Sequence, residues 1–141
     1  TIKVDAPVVK NDDIKVNNKL VLVVDDNKIN LKVAERLLST YGINSECVES
    51  GFNCLDNLKN GKKYDLILMD DMMPKMSGVE TLQKIKNEIP EFDIPTIALT
   101  ANALTGMREK YLADGFNDYL AKPINKDELN RVINEYLNKE W

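Results

Sequence analysis

Four carboxylates, a hydroxyl and an amine stand in this sequence where they could form one reactive centre: Asp25, Asp26, Asp70, Asp71, Thr100 and Lys122. Carboxylates brought within a few ångströms of one another repel, and their proton affinities rise unless a cation joins them. A hard divalent ion such as Mg²⁺ takes oxygen ligands in octahedral geometry and keeps several waters. It would let Asp70 remain ionised and would neutralise the oxygens of an incoming phosphoryl group. Lys122 would add a second cation, Thr100 a hydroxyl donor, and the Ala101 amide a further N–H. Aspartate is an established type of nucleophile. Phosphoryl transfer asks mainly for in-line positioning and charge stabilisation. The chemistry open to this set is therefore the holding of a phosphoryl group on a carboxylate oxygen.

Each member taken alone has a plainer reading. Asp25-Asp26 could be a helix N-cap and its neighbour, Asp70-Asp71 a polar strand end, and Thr100 or Lys122 a surface or capping residue. The combination outweighs these readings, because four separate segments each contribute the required chemical type.

Those segments follow apolar runs. Leu20 to Val24 is continuous and valine-rich, as suits a strand buried on both faces of a parallel sheet. Leu66 to Met69 and Thr96 to Leu99 are comparable, and Ile43 to Val48 and Asn117 to Ala121 are weaker strand candidates. Helical patterns alternate with them. Ile29, Val33, Leu37 and Tyr41 recur every four residues before Gly42, and Cys54, Leu55 and Leu58 mark a second helix ending near Gly61. Val79, Leu82, Ile85 and Ile89 mark a third, closed by Pro90; Leu104, Met107 and Tyr111 a fourth, ending near Gly115. Leu129, Val132, Ile133, Tyr136 and Leu137 form the clearest stripe. Five strand–helix units in succession imply a parallel α/β sheet with right-handed crossovers and helices on both faces. Ligands of such sheets bind beyond the carboxyl ends of the strands, where Asp25-Asp26, Asp70-Asp71, Thr100-Ala101 and Lys122-Pro123 all fall.

Composition narrows the function classes. The chain has 141 residues, enough for one domain with one sizeable core. Its formal charge of −4 gives nucleic acid or an anionic membrane no reason to bind directly. No apolar run approaches the roughly 20 residues of a membrane span, no signal-peptide pattern is present, and a cytoplasmic location is expected, with any membrane anchor belonging to a parent protein. Histidine is absent, which excludes Ser-His and Cys-His catalysis. Cys47 and Cys54 without histidine make no zinc site, and reduced, partly buried thiols are expected. Residues 1–18 are polar, aperiodic and carry Pro7, as a linker would. Thr1 in place of Met suggests a piece excised from something longer.

Four stretches give the sequence a family likeness. Val23-Val24-Asp25-Asp26-Asn27, Asp65 through Gly78, Ala98-Leu99-Thr100-Ala101 and Asp118-Tyr119-Leu120-Ala121-Lys122-Pro123 together resemble the receiver domain of response regulators in two-component signalling, over about Lys19 to Leu137. The resemblance implies a flavodoxin-like doubly wound (βα)5 fold with strand order 2-1-3-4-5, and assigns residues 19–141 to the receiver. It implies that Asp70 accepts the phosphoryl group, that Asp26 binds Mg²⁺ (or Mn²⁺) directly and Asp25 mainly through water, and that the Met72 main-chain carbonyl completes the protein ligands. Thr100, Lys122 and the Ala101 amide would contact the phosphoryl oxygens, and the Lys122-Pro123 peptide would be cis. Thr100 and Tyr119 look like the family's switch pair, with the fourth helix, fifth strand and fifth helix as the readout face. The implied partners are a histidine kinase or a histidine phosphotransfer domain. A phosphorylation-dependent dimer is one form of output, and self-phosphorylation and autodephosphorylation are the only enzymatic activities.

Asp71 departs from the family pattern. The spacing Asp, two residues, Met-Pro, counted back from Met73-Pro74, selects Asp70 as acceptor, and period-two alternation turns Asp71 the other way. Ser77 stands where many relatives have Asp; either can cap the following helix. Asp26-Asn27-Lys28-Ile29-Asn30 and Thr100-Ala101-Asn102-Ala103 resemble receivers of hybrid sensor kinases. No helix-turn-helix follows Leu137, so the C-terminal receiver of a hybrid kinase is the first reading and a stand-alone receiver the second. An aspartate-nucleophile phosphatase would want a second Asp where Met72 stands. A degenerate interaction module would not need the intact acidic set, and a nucleotide-binding domain would want a Gly-rich turn after the first strand.

Overall fold

The computed structural model describes residues 18–101 and 107–137. The expected linker (apart from Asn18) and Leu104, assigned to the fourth helix, lie outside the described residues. Strands β1 (Leu20–Val24), β2 (Asn44–Val48), β3 (Leu66–Asp70), β4 (Thr96–Thr100) and β5 (Asp118–Ala121) alternate with helices α1 (Lys28–Ser39), α2 (Gly51–Lys59), α3 (Gly78–Glu88), α4 (Met107–Ala113) and α5 (Lys126–Tyr136). The strands form one parallel sheet in the order β2-β1-β3-β4-β5. This is the flavodoxin-like arrangement.

The side-chain alternation of each strand divides the core in two. Val21, Val23, Leu66, Leu68, Ile97 and Leu99 face α1 and α5. Leu22, Val24, Ile67, Met69 and Ala98 face α2, α3 and α4. Because both faces are covered, β3 and β4 are buried along their whole length. β2 is more polar and more exposed, as an edge strand can be. Cys47 on β2 is exposed and Cys54 in α2 is buried, and both are free thiols. Burial pushes the Cys54 thiol up to about 12, which leaves it unreactive at neutral pH.

Helix α1 forms where the period-four series marks it, yet that series is not its buried face. Leu31, Ala34 and Leu38 are buried, whereas Ile29 is 72% exposed and Val33 39%. The helix carries two apolar rows, and only packing against β1 and α5 decides which one is covered. The other row stays in water between Lys28, Lys32 and Arg36, lining a shallow groove of about 460 Å³.

Asn27 caps α1, its side chain accepting from the amides of Ile29 and Asn30. The capping alternative for Asp25-Asp26 is thereby displaced one residue along. Ser77 caps α3 in a reciprocal capping box with Glu80, at 3.1 and 2.9 Å. Ser77→Ala should cost about 1 kcal/mol in urea unfolding, and Ser77→Asp should recover most of it.

Candidate functional site

The carboxyl ends of β1, β3, β4 and β5 meet at one edge, and the sequence-selected groups meet with them. Asp25 directly follows β1 and is fully buried, with one oxygen accepting from the Asn27 amide at 2.9 Å. Its other oxygen, Oδ2, is buried without a hydrogen bond, and the Lys122 ammonium stands 3.7 Å away. Asp26 is exposed at the rim. Asp70 closes β3 at 2% exposure. Its Oδ1 accepts from Lys122 Nζ at 2.7 Å and from the Met72 amide at 3.2 Å.

Lys122 reaches Asp70 from just beyond β5, its amide donating to the Thr100 carbonyl at 2.8 Å. The following Lys122-Pro123 peptide is cis. Thr100 ends β4 and is buried, and Ala101 next to it is exposed. Met72 lies in the loop after β3 and is 75% exposed. Tyr119 is half-buried on β5 and packs against the α2–α4 core.

Electrostatics make Asp70 unlike an ordinary surface carboxylate. Burial raises its pKa to about 6; Lys122 and the Met72 amide pull it down, and Asp25 pushes it up. Burial works against the charge of Lys122, but the hydrogen bond to Asp70 and the charges of Asp25, Asp70 and Asp71 outweigh it, and its pKa lies above the usual value. One ammonium thus serves two buried carboxylates.

A divalent cation fits this donor set. Asp25, Asp26 and Asp70 each offer an oxygen, all within 4.8 Å of one another. Asp25 Oδ2 has the Lys122 charge nearby but accepts no hydrogen bond, and such a buried acceptor is costly unless satisfied. Three hard oxygens suit Mg²⁺ or Mn²⁺.

Asp71 goes to the other side of the sheet. Along β3 the row Leu66, Leu68, Asp70 belongs to the α1–α5 face, and Ile67, Met69, Asp71 to the α4 face. There Asp71 Oδ2 lies 2.5 Å from the hydroxyl of Tyr111, on α4. Tyr111 is a residue the motifs did not mark as functional. The hint of it in the sequence was the unusual acid after Asp70, a half-buried carboxylate that takes Tyr111 as its donor.

A family model described as the response regulator receiver domain matches residues 21–134. The chain belongs to that family. Among curated relatives, this receiver domain is 39% identical over 116 residues to the signal transduction histidine-protein kinase BarA of Escherichia coli (strain K12), with 82% of this chain and 12% of that protein covered. It is 34% identical over 139 residues to probable histidine kinase 4 of Oryza sativa subsp. japonica, with 84% and 14% covered. The chain therefore spans only about an eighth of the length of these kinases.

Solved receivers share the fold. The receiver domain of a Pseudomonas aeruginosa PAO1 sensor histidine kinase, with magnesium ion coordinated in its active site cleft, superposes with a TM-score of 0.75 at 36% identity, covering 86% of this chain and 98% of that one. A second match comes from the Saccharomyces cerevisiae co-crystal of the histidine phosphotransfer protein Ypd1 with the receiver domain of its downstream response regulator Ssk1. Its TM-score is 0.72 at 30% identity, covering 89% of this chain and 90% of that one. No described helix is long and apolar enough to cross a membrane.

Proposed function

We propose that this receiver takes a phosphoryl group onto Asp70 from the phosphohistidine of a histidine kinase or histidine phosphotransfer domain. The carrying observation is the buried Asp70 carboxylate, held by Lys122 at 2.7 Å and grouped with Asp25 and Asp26. An oxygen of Asp70 forms the new O–P bond while the donor's P–N bond breaks. The electron pair of that bond stays on the imidazole, which needs no proton donor from this chain. Asp26, Asp25, Asp70 and the Met72 carbonyl would hold Mg²⁺, which when bound neutralises charge on the phosphoryl oxygens. Lys122, the Thr100 hydroxyl and the Ala101 amide then hold the product, and Thr100 with Tyr119 carries its presence to the α4–β5–α5 face.

The exposed row of α1 supports the choice of partner. Ile29 and Val33 are exposed on α1, the helix that begins two residues after the rim residue Asp26, and the exposed Met72 lies in the loop after β3. An apolar row flanked by Lys28, Lys32 and Arg36 suits an amphipathic helix with acidic edges, a face on which a donor histidine can be presented. Matches of this chain to segments covering 12–14% of histidine kinases support a hybrid kinase as the parent.

Acetyl phosphate labelling with Mg²⁺, read by phosphate-affinity electrophoresis, tests the assignment. Wild type and Asp71→Asn should label; Asp70→Asn and EDTA-treated wild type should not. Equal labelling of Asp70→Asn and wild type would remove Asp70 as acceptor.

A further inference from the structure

Tyr111 joins residues that no motif connects. Its side chain is buried, its hydroxyl oxygen lies 2.5 Å from Asp71 Oδ2 and 2.8 Å from Thr100 Oγ1. Its ring stacks on that of Tyr119, with centroids 5.8 Å apart and planes at 27°. Phe116 meets the same ring edge-on at 6.0 Å. One residue of α4 thus touches the acid beside the acceptor and both members of the proposed switch pair.

The donors and acceptors give this cluster a direction. Tyr111 has one phenolic proton, and an ionised carboxylate accepts only. The proton therefore goes to Asp71, and the phenol oxygen is left as a partner to which the Thr100 hydroxyl can donate. Burial, and after it the bond to Asp71, raises the phenol to about 12, so it keeps its proton at neutral pH. The strand register agrees. Thr100 falls in the Ala98 row of β4, on the α4 face, whereas Asp70 falls in the opposite row of β3.

We propose that Tyr111, anchored by Asp71, is a positioning residue that holds Thr100 and Tyr119 in the unphosphorylated arrangement, a latch that a phosphoryl group on Asp70 must open. The inference rests on Asp70 being the acceptor. For Thr100 to serve a phosphoryl oxygen its hydroxyl leaves Tyr111, and an inward move of Tyr119 changes its stacking on the same ring. The free energy of the Tyr111 hydrogen bonds is then subtracted from the affinity for the activating group. Asp71, the departure from the family pattern, sets the strength of the latch.

The test is the dissociation constant for beryllofluoride in Mg²⁺, a non-covalent stand-in for the phosphoryl group. Tyr111→Phe keeps the ring and its stacking but removes the oxygen. It should bind about three- to tenfold tighter than wild type, the range spanned by one net hydrogen bond. The Tyr119 ring signals of the unliganded variant should move toward their liganded positions in NMR spectra. In a Thr100→Ala background, Tyr111→Phe should change affinity less than twofold. Asp71→Ala should also tighten binding, and adding Tyr111→Phe to it should give less than the sum. Unchanged or weaker binding by Tyr111→Phe, or an undiminished gain without Thr100, would overturn the latch. Should wild type itself not bind beryllofluoride in Mg²⁺, the receiver assignment of Asp70 fails, and the latch with it.

Discussion

In metal-free buffer at pH 7.5 the Asp70→Asn variant should melt at a higher temperature than wild type, while failing to label with acetyl phosphate. The reason is the state in which the fold holds that carboxylate. Burial raises Asp70 from 3.8 to about 6, so the folded protein binds its proton more tightly than the unfolded chain does. A raised acid contributes a stability that is present at low pH and lost as pH rises from about 4 to 6. Above pH 6 wild type carries the full penalty of a buried negative charge, at most about 3 kcal/mol by the usual 1.36 kcal/mol per pKa unit. Asparagine has no charge to bury and still accepts a hydrogen bond from Lys122, so a gain of about 1–3 kcal/mol is expected. Thermal melts in EDTA across pH 4–8 should show the two curves close together at pH 4 and separating up to pH 6. Mg²⁺ should then raise the melting point of wild type far more than that of the variant, since a ligand stabilises only what it binds. Curves separating in the opposite sense would mean that Lys122 overcompensates for burial.

Gly78→Ala should do the opposite, destabilising the fold by about 3 kcal/mol and impairing phosphoryl acceptance together. Gly78 is the first residue of α3, and its amide donates to the Asp71 carbonyl at 3.1 Å. A Cβ there would collide with the Asp70 carbonyl oxygen and lie 3.0 Å from Asp71 Cα and 3.2 Å from the Asp70 carbonyl carbon. Every one of these atoms is main chain, so no rotamer change can relieve the clash, and either α3 or the end of β3 must move. Movement of β3 shifts Asp70 relative to Lys122, and a displacement of about 1 Å can cost a hundredfold in rate. Urea unfolding and acetyl phosphate labelling of the same sample should show both losses. A variant with native stability and native labelling would show that α3 backs away freely.

The sequence determined the strand–helix alternation and the chemistry placed at its edge. Buried parallel strands read as short apolar runs, and the residue types that end them, Asp25-Asp26, Asp70, Thr100 and Lys122, are local in the chain. It also separated Asp70 from Asp71, through spacing and the two-residue period of a strand. Three things lay beyond it. The covered face of α1 depended on which of two apolar rows met β1 and α5, and a helical period alone does not choose between them. The hydrogen bond that displaces Asp25-Asp26 from capping belongs to Asn27, a matter of backbone geometry at one residue. Tyr111 became legible only in three dimensions, because its partners Asp71, Thr100 and Tyr119 sit on three separate strand ends or the turns beside them, 40, 11 and 8 positions away in the chain. Local propensity acts over a few residues, whereas a half-buried carboxylate such as Asp71 finds its donor wherever the packed sheet brings one.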